Sequence, residues 1–249
     1  MISFIIPAYN EERLLGPTLR ALHDAAPAAG EPYEVIVADD ASSDRTAAVA
    51  ESYGARVVSV PHRQIAATRN SGAREANGDF FIFVDADTVV NEAVVRAAAQ
   101  ALRGGAAGGG AAVRFDGRLP LYARLLVPLS VWLFRVAHLA AGCFLFCTRR
   151  AFEAVGGFDE ALYGAEEVAM SKALKREGRF VVLRESVTTS GRKLRAHSGS
   201  ELLRVMGRLA LRGPKSMRSR EGLAIWYERR RDDPDALSGK VAGGGQRPL

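Results

Sequence analysis

Apolar and polar positions along this chain fall into two alternating rhythms. Short unbroken apolar runs, Ser3-Phe4-Ile5-Ile6, Tyr33-Glu34-Val35-Ile36-Val37-Ala38, Arg56-Val57-Val58-Ser59-Val60 and Phe80-Phe81-Ile82-Phe83-Val84, read as strands. Between them lie stretches with helical spacing, such as Leu14, Leu15, Leu19 and Leu22, or the segment from about Ile65 to Ala76. Asn10 is expected to cap the first helix, with Glu11 and Glu12 in its first turn. Ser43 or Asp44 is expected to cap the second, which Gly54 closes. Four strands alternating with three helices within 88 residues predict βαβ crossovers and an α/β fold with a mainly parallel central sheet flanked by helices.

A fourth helix, roughly Asn91 to Arg103, completes this half, and Gly104 to Gly110 reads as a loop or flexible joint. Leu119 to Ala141 is the most apolar long segment, interrupted by Arg124, Pro128, Arg135 and His138. It lacks the charge-free run of about 18 residues that a spanning helix needs, so core-packed helices are expected, with a membrane-interface position as the alternative. Beyond it come a strand from Cys143 to Thr148, a helix from about Arg150 to Val155, the turn Gly156-Gly157-Phe158-Asp159 and a helix from near Glu166 to Gly178. A strand Arg179 to Leu183 and an amphipathic helix Ser198 to Leu211 follow, and the composition from Asp232 onward predicts a disordered tail. The expected organisation is one domain over 1–231, divided near the glycine-rich stretch into halves over 1–103 and 104–231, with a tail over 232–249.

Of the 249 residues 48% are hydrophobic and 25% charged, which is ordinary for a soluble globular protein. The start carries no basic leader and already looks like a core strand, so a cytoplasmic protein is expected. Cys143 and Cys147 would be four strand steps of about 3.3 Å apart, too far for a disulfide. The net charge of +6 is concentrated late, from Arg192 through Arg229-Arg230-Arg231. Such a region attracts polyanions, an anionic membrane or a phosphorylated substrate. Nucleic acid is not expected as a partner, because no aromatic platform is interleaved with the basic residues.

The candidate chemistry sits where strands end. Phe80 to Val84 stops at Asp85-Ala86-Asp87, and Tyr33 to Ala38 stops at Asp39-Asp40. In an open α/β sheet the C-terminal strand edge is where ligands bind, and closely spaced carboxylates suit a hard divalent cation that can hold a diphosphate.

Taken in order, these segments resemble the family-2 glycosyltransferases, inverting enzymes of the GT-A fold, over roughly residues 1 to 200. The resemblance begins at Ile5-Ile6-Pro7-Ala8-Tyr9-Asn10-Glu11-Glu12, which implies that Pro7, Ala8, Tyr9 and Glu11 lie beside the nucleotide. It continues through Asp39-Asp40-Ala41-Ser42-Ser43-Asp44, where the family usually has glycine in place of Ala41. Asp40 would accept from the base, with Asp39 the alternative. Arg69-Asn70-Ser71-Gly72 implies that Arg69 faces the nucleotide, against a bland reading as a surface helix residue. Asp85-Ala86-Asp87 matches the Asp-x-Asp motif, implying Asp87 as ligand of Mg or Mn and Asp85 at ribose or a metal-bound water, with Ala86 between them against the nucleotide. Glu166-Glu167 stands where the family normally has Glu-Asp. Glu167 would be the general base and Glu166 the runner-up. Val187 to His197 is similar to a late segment of some bacterial members, implying His197 as a further metal ligand. Arg192, Lys193 and Arg195 would clamp the diphosphate or a phosphorylated acceptor.

The resemblance implies a single GT-A catalytic domain, with 1–103 the nucleotide-binding half and 104–231 the acceptor half, a nucleotide-sugar donor and an unspecified acceptor hydroxyl (a glycan, lipid or small molecule), while the Leu119 to Ala141 segment leaves peripheral membrane contact as an alternative. The alternative is a GT-A-like protein that binds nucleotide or polyanion without turnover. A nucleotidyltransferase would need an early Gly-rich phosphate loop, which is absent.

Overall fold

The computed structural model describes residues 1–196, 199–201 and 217–219. The first strand, β1 (Ile2–Ala8), is buried at every position. After it come α1 (Leu15–Ala25), a short 3-10 turn, β2 (Tyr33–Asp39), α2 (Thr46–Ser52), β3 (Arg56–Ser59), α3 (Ile65–Arg74) and β4 (Phe80–Val84). The chain continues with β5 (Thr88–Val89), α4 (Glu92–Arg103), β6 (Gly108–Phe115), α5 (Leu121–Val136) and β7 (Phe144–Thr148). It then forms α6 (Arg149–Ala154), α7 (Glu166–Glu177), β8 (Phe180–Thr189) and α8 (Arg192–Ala196).

The eight strands of the described residues join one sheet in the order β3-β2-β1-β4-β7-β6-β8-β5. The four strands of the first half run parallel, so their C-terminal ends share one edge. β7 then runs antiparallel to both β4 and β6, β8 lies parallel to β6, and β5 is antiparallel to β8. The period-two alternation divides each central strand between two cores. Phe4, Ile6, Ile82 and Val84 pack with Leu15, Leu19 and Val94 from α1 and α4 on one face. Ile5, Phe81 and Phe83 pack with Ala66, Phe152 and Met170 from α3, α6 and α7 on the other. Both faces of the sheet are therefore covered, as continuous apolar strands require.

Several local expectations give way to long-range contacts. Asn10 does not cap α1, which begins only at Leu15. Instead Asn10 takes φ 51° and its Oδ1 accepts from the Ser43 backbone N–H at 2.7 Å. Glu11 N donates to Thr46 Oγ1 at 2.7 Å, so the two loops after β1 and β2 are zipped together. Arg45, and neither Ser43 nor Asp44, takes the N-cap position of α2, while Asp44 Oδ1 accepts from Thr46 N at 2.9 Å from one residue earlier.

The glycine-rich stretch is not simply a joint: Gly108, Gly109 and Gly110 open β6 between β7 and β8. A Cβ on Gly109 would lie 2.1 Å from the Val181 carbonyl and 2.3 Å from the Phe146 ring, so only glycine lets these strands approach. β8 runs on to Thr189, well past the expected Leu183, because β6 and β5 pair along its extra length. The apolar segment after β6 is one helix, α5, and five of its large apolar side chains lie outside the core. Leu121, Leu129, Trp132, Leu133 and Val136 stand exposed. Among the described residues, no helix is long and apolar enough to cross a membrane. The expected helix over Ser198–Leu211 lies largely outside the described residues, and the tail over 232–249 wholly so.

Candidate functional site

The site is built where β1, β2 and β4 end side by side and α7 begins. At its centre is Arg69 on α3, 1% exposed although charged. Its Nη1 donates to Glu166 Oε1 at 2.8 Å, and its Nη2 donates to Asp85 Oδ1 and to the Gly142 carbonyl, each at 2.8 Å. One guanidinium thus binds the end of β4, the first turn of α7 and the approach to β7 together. Burial works against its charge, and Asp85 and Glu166 more than restore it, holding Arg69 firmly protonated. The surface-helix reading of Arg69 is overturned. Its Nε is buried without a partner. Burial also displaces Asp85 upward, Arg69 pulling it back and Asp87 adding to the rise.

The Asp-x-Asp turn is held from below and from the side. Thr18 Oγ1 donates to the Ala86 carbonyl at 2.9 Å, Asp85 N donates to the Cys143 carbonyl at 3.2 Å, and β5 anchors the far end on Thr188 and Thr189. Asp87 Oδ2 accepts from Arg192 Nη2 at 3.0 Å, and the same guanidinium donates from Nη1 to Glu11 Oε2 at 2.9 Å. A residue of α8 therefore bridges the loop after β1 and the turn after β4. Lys193 contributes positive charge toward Asp85. Arg195 is directed elsewhere, donating to the Asp116 carbonyl at 2.8 Å and to its carboxylate at 3.2 Å. That contact anchors α8 to the end of β6.

The adjacent aspartates after β2 have different environments. Asp40 Oδ1 accepts from Arg63 N at 2.6 Å, and Oδ2 accepts from Gln64 N at 3.0 Å and Thr68 Oγ1 at 2.8 Å. It fastens the start of α3 to the sheet, so both oxygens of Asp40 already serve the fold. Asp39, next to Ala8 in register, has a buried Oδ1 with no partner. Ala41 adopts φ 54°, the left-handed conformation that accounts for glycine being usual there. Tyr9 lies under Arg63, whose guanidinium carbon is 3.5 Å from the ring centroid.

At the other end, Glu166 and Glu167 open α7 behind Ala165, itself at φ 58°. Glu166 is buried and engaged by Arg69. Glu167 has a carboxyl pushed up to about 8, first by burial and then by the charge of Glu166. It faces Gly142, where an added Cβ would stand 3.4 Å from Glu167 Cδ. The turn before α7 is fastened to α3: Asn70 Oδ1 accepts from Phe158 N and its Nδ2 donates to the Phe158 carbonyl, both at 2.9 Å. Asn70, Gly142 and Thr189 are site-forming residues that the sequence reading did not single out. Asn70 lay inside the quoted Arg69-Asn70-Ser71-Gly72 motif, whereas a backbone acceptor such as the Gly142 carbonyl leaves no side-chain signal.

The structure thus brings Glu11, Arg69, Asp85, Asp87, Glu166, Glu167, Arg192 and Lys193 into one neighbourhood, beside the ends of β1 and β2. It does not bring Arg195 there, and His197 lies outside the described residues. Among the described residues, no three His, Cys, Asp or Glu side chains form a metal cluster. Asp85 and Asp87 nevertheless fit a hard cation, since Mg takes one or two protein carboxylates and completes its shell with phosphate and water.

Comparison with known proteins converges on one family. Residues 3–155 match the model described as glycosyl transferase family 2. An uncharacterized glycosyltransferase of Bacillus subtilis is 38% identical over 98 residues, 37% of this chain and 24% of the relative. The undecaprenyl-phosphate 4-deoxy-4-formamido-L-arabinose transferase of Pseudomonas paraeruginosa is 37% identical over 98 residues, 35% of this chain and 28% of the relative. The match spans about a quarter of the length of these curated relatives. Among solved structures, a mannosyltransferase from Pyrobaculum calidifontis in complex with GDP-Man and Mn2+ superposes with a TM-score of 0.66 at 18% identity, over 95% of this chain and 66% of that one. S. aureus TarS 1-349 in complex with UDP gives 0.60 at 22% identity, over 76% and 60%. At such identities these likenesses establish the GT-A fold. With its family model matched over more than half of its length, the chain belongs to glycosyl transferase family 2.

Proposed function

We propose that the chain transfers a sugar from a nucleotide-diphosphate donor to an acceptor hydroxyl, with inversion at the anomeric carbon. The observation that carries this reading is the Arg69 network, which fixes Asp85 at a strand end and Glu166 at a helix start within one buried unit. It sets a donor side and an acceptor side across a single guanidinium.

On the donor side the orphaned Oδ1 of Asp39 is the acceptor offered to the N–H of a base, in preference to Asp40, whose oxygens are engaged within the fold. The ends of β1 and β2, with Pro7, Ala8 and Tyr9, form the wall beside it. Asp87, with Asp85 behind it, would hold Mg or Mn, which when bound neutralises charge on the departing diphosphate. Relatives in the GT-A fold solved with Mn2+ support that assignment. Arg192, held by Glu11 and Asp87, has a guanidinium oriented toward the site a diphosphate would take.

On the acceptor side Glu167 is the base. Glu166 is engaged by Arg69 at 2.8 Å, whereas burial and the neighbouring Glu166 make Glu167 an unusually strong carboxylate base. It takes the hydroxyl proton as the oxygen attacks the anomeric carbon opposite the leaving group. The test is release of nucleoside diphosphate from a panel of nucleotide sugars, with and without Mn. Donor turnover that Asp87→Ala abolishes is the expected result. Turnover untouched by Asp87→Ala refutes the proposed site, and donor binding without hydrolysis or transfer by the wild type refutes catalysis.

A further inference from the structure

The large apolar side chains exposed among the described residues are concentrated on α5. Leu121 is 75% exposed, Leu129 52%, Trp132 57%, Leu133 50% and Val136 58%, with Val89 the other such residue. At about 100° per residue, Pro128, Leu121, Trp132, Val136, Leu129 and Leu133 fall in that order within an arc of about 140°, with Arg124 and Arg135 along one border. Ala123, on the opposite side, is buried. No aspartate or glutamate occurs between Asp116 and Glu153, a stretch that contains Arg118, Arg124 and Arg135. Beside the first turn of α5 a hollow of about 330 Å3 is lined by Phe115, Gly117, Arg118, Leu119 and Arg124.

We propose that this face of α5 docks on an anionic lipid bilayer. The apolar arc lies at the boundary of the acyl chains, Arg118 and Arg124 face a lipid phosphate at the hollow, and Arg135 lies at the headgroup level. The charge pattern selects this occupant over a second copy of the chain. An antiparallel two-fold contact through α5 would set the arginine borders against each other, and a parallel one would leave each border with no carboxylate from the same face to pair it. At 16 residues the helix lies on a bilayer and does not cross it.

Both ends of the helix are joined to the site. The Tyr122 hydroxyl donates to the Leu194 carbonyl of α8, and beyond the other end Ala140 N donates to Ser171 Oγ at 3.0 Å on α7. Docking through α5 would therefore hold the acceptor side of the site near the lipid headgroups. The inference does not depend on turnover.

The test is co-sedimentation of the full chain with vesicles of phosphatidylcholine alone and of equal parts phosphatidylcholine and phosphatidylglycerol. The wild type is expected to bind the anionic vesicles preferentially and to release with salt. Trp132→Ser with Leu133→Ser should weaken binding at least about tenfold. Arg118→Gln and Arg124→Gln should each weaken it about fivefold. In a Trp226→Phe background, Trp132 emission should shift to the blue on anionic vesicles. Thermal melting that matches the wild type establishes that each variant is folded. Absence of binding by the wild type, equal binding to both compositions, or binding indifferent to these substitutions overturns the proposal. So does a dimer that the apolar substitutions dissolve while vesicles are ignored.

Discussion

Replacing Arg69 by methionine isolates what the buried guanidinium does for the fold. The substitution keeps most of the stem's volume but removes three hydrogen bonds of 2.8 Å and strands Asp85, Glu166 and the Gly142 carbonyl. Removing one partner of a buried pair costs about 3 to 5 kcal/mol, and a carbonyl left dry adds to it, so a loss of about 4 kcal/mol near neutral pH is expected. With a urea dependence of about 3 kcal/mol per M for a chain of this size, the unfolding midpoint should fall by a little over 1 M. Intrinsic fluorescence and circular dichroism should give coincident transitions. The deficit has a sign in pH. Asp85 is already displaced upward by burial and loses the cation that opposes the rise, so as pH falls it takes a proton in the variant and the penalty shrinks. Arg69→Lys should recover only part of the loss, because one ammonium cannot reproduce the fork. A loss under about 1 kcal/mol, or an equal loss at high and low pH, would refute the claim that Arg69 organises the site by compensating buried carboxylates.

Glu167→Gln should separate catalysis from stability. Its carboxyl moves from an unfolded value of 4.5 to about 8 when folded, so the stability it contributes below 4.5 is lost as pH rises through about 8. Melting in EDTA should show the variant matching the wild type near about pH 5 and exceeding it near about pH 9, while transfer falls by about a hundredfold to ten-thousandfold. The two adjacent aspartates should behave oppositely. Asp40→Ala should cost about 2 to 4 kcal/mol in denaturant unfolding, whereas Asp39→Asn should stay within about 0.5 kcal/mol and weaken nucleoside diphosphate binding about tenfold by calorimetry. Gly109→Ala would bring a methyl carbon 2.1 Å from the Val181 carbonyl. Its expected cost is about 3 kcal/mol in unfolding free energy, and a loss below about 0.5 kcal/mol would contradict the close strand packing.

The strands of the first half were legible because continuous apolar runs alternating with helical spacing leave little else to build. The Asp-x-Asp turn was legible for a related reason: a buried strand that ends in charge must surface at that point. Asp39 and Asp40 could not be ranked from their order alone. Which of them keeps an oxygen without a partner is decided by the arrival of Arg63, Gln64 and Thr68 at Asp40, over twenty residues later. The glycine strand β6 was hidden because glycine carries no periodic signal. Its place is dictated by Phe146 and Val181 on its two neighbours. Apolarity identified α5 as a helix, but not whether protein covers its outer face. The pairing of Arg192 with Glu11 and Asp87 joins segments far apart in sequence and has no local pattern.

The sheet order also bears on how the chain emerges from a ribosome. β1 to β4 can pair as soon as they are made, yet the outer edge of β4 is covered only when β7 arrives at Phe144. Until then Phe80-Phe81-Ile82-Phe83-Val84 presents a bare aromatic edge, the kind that recruits another chain. A slow or interrupted synthesis within α5 would prolong that exposure. A fragment truncated just before β7 would aggregate through β4 even though every strand of its parallel half is present.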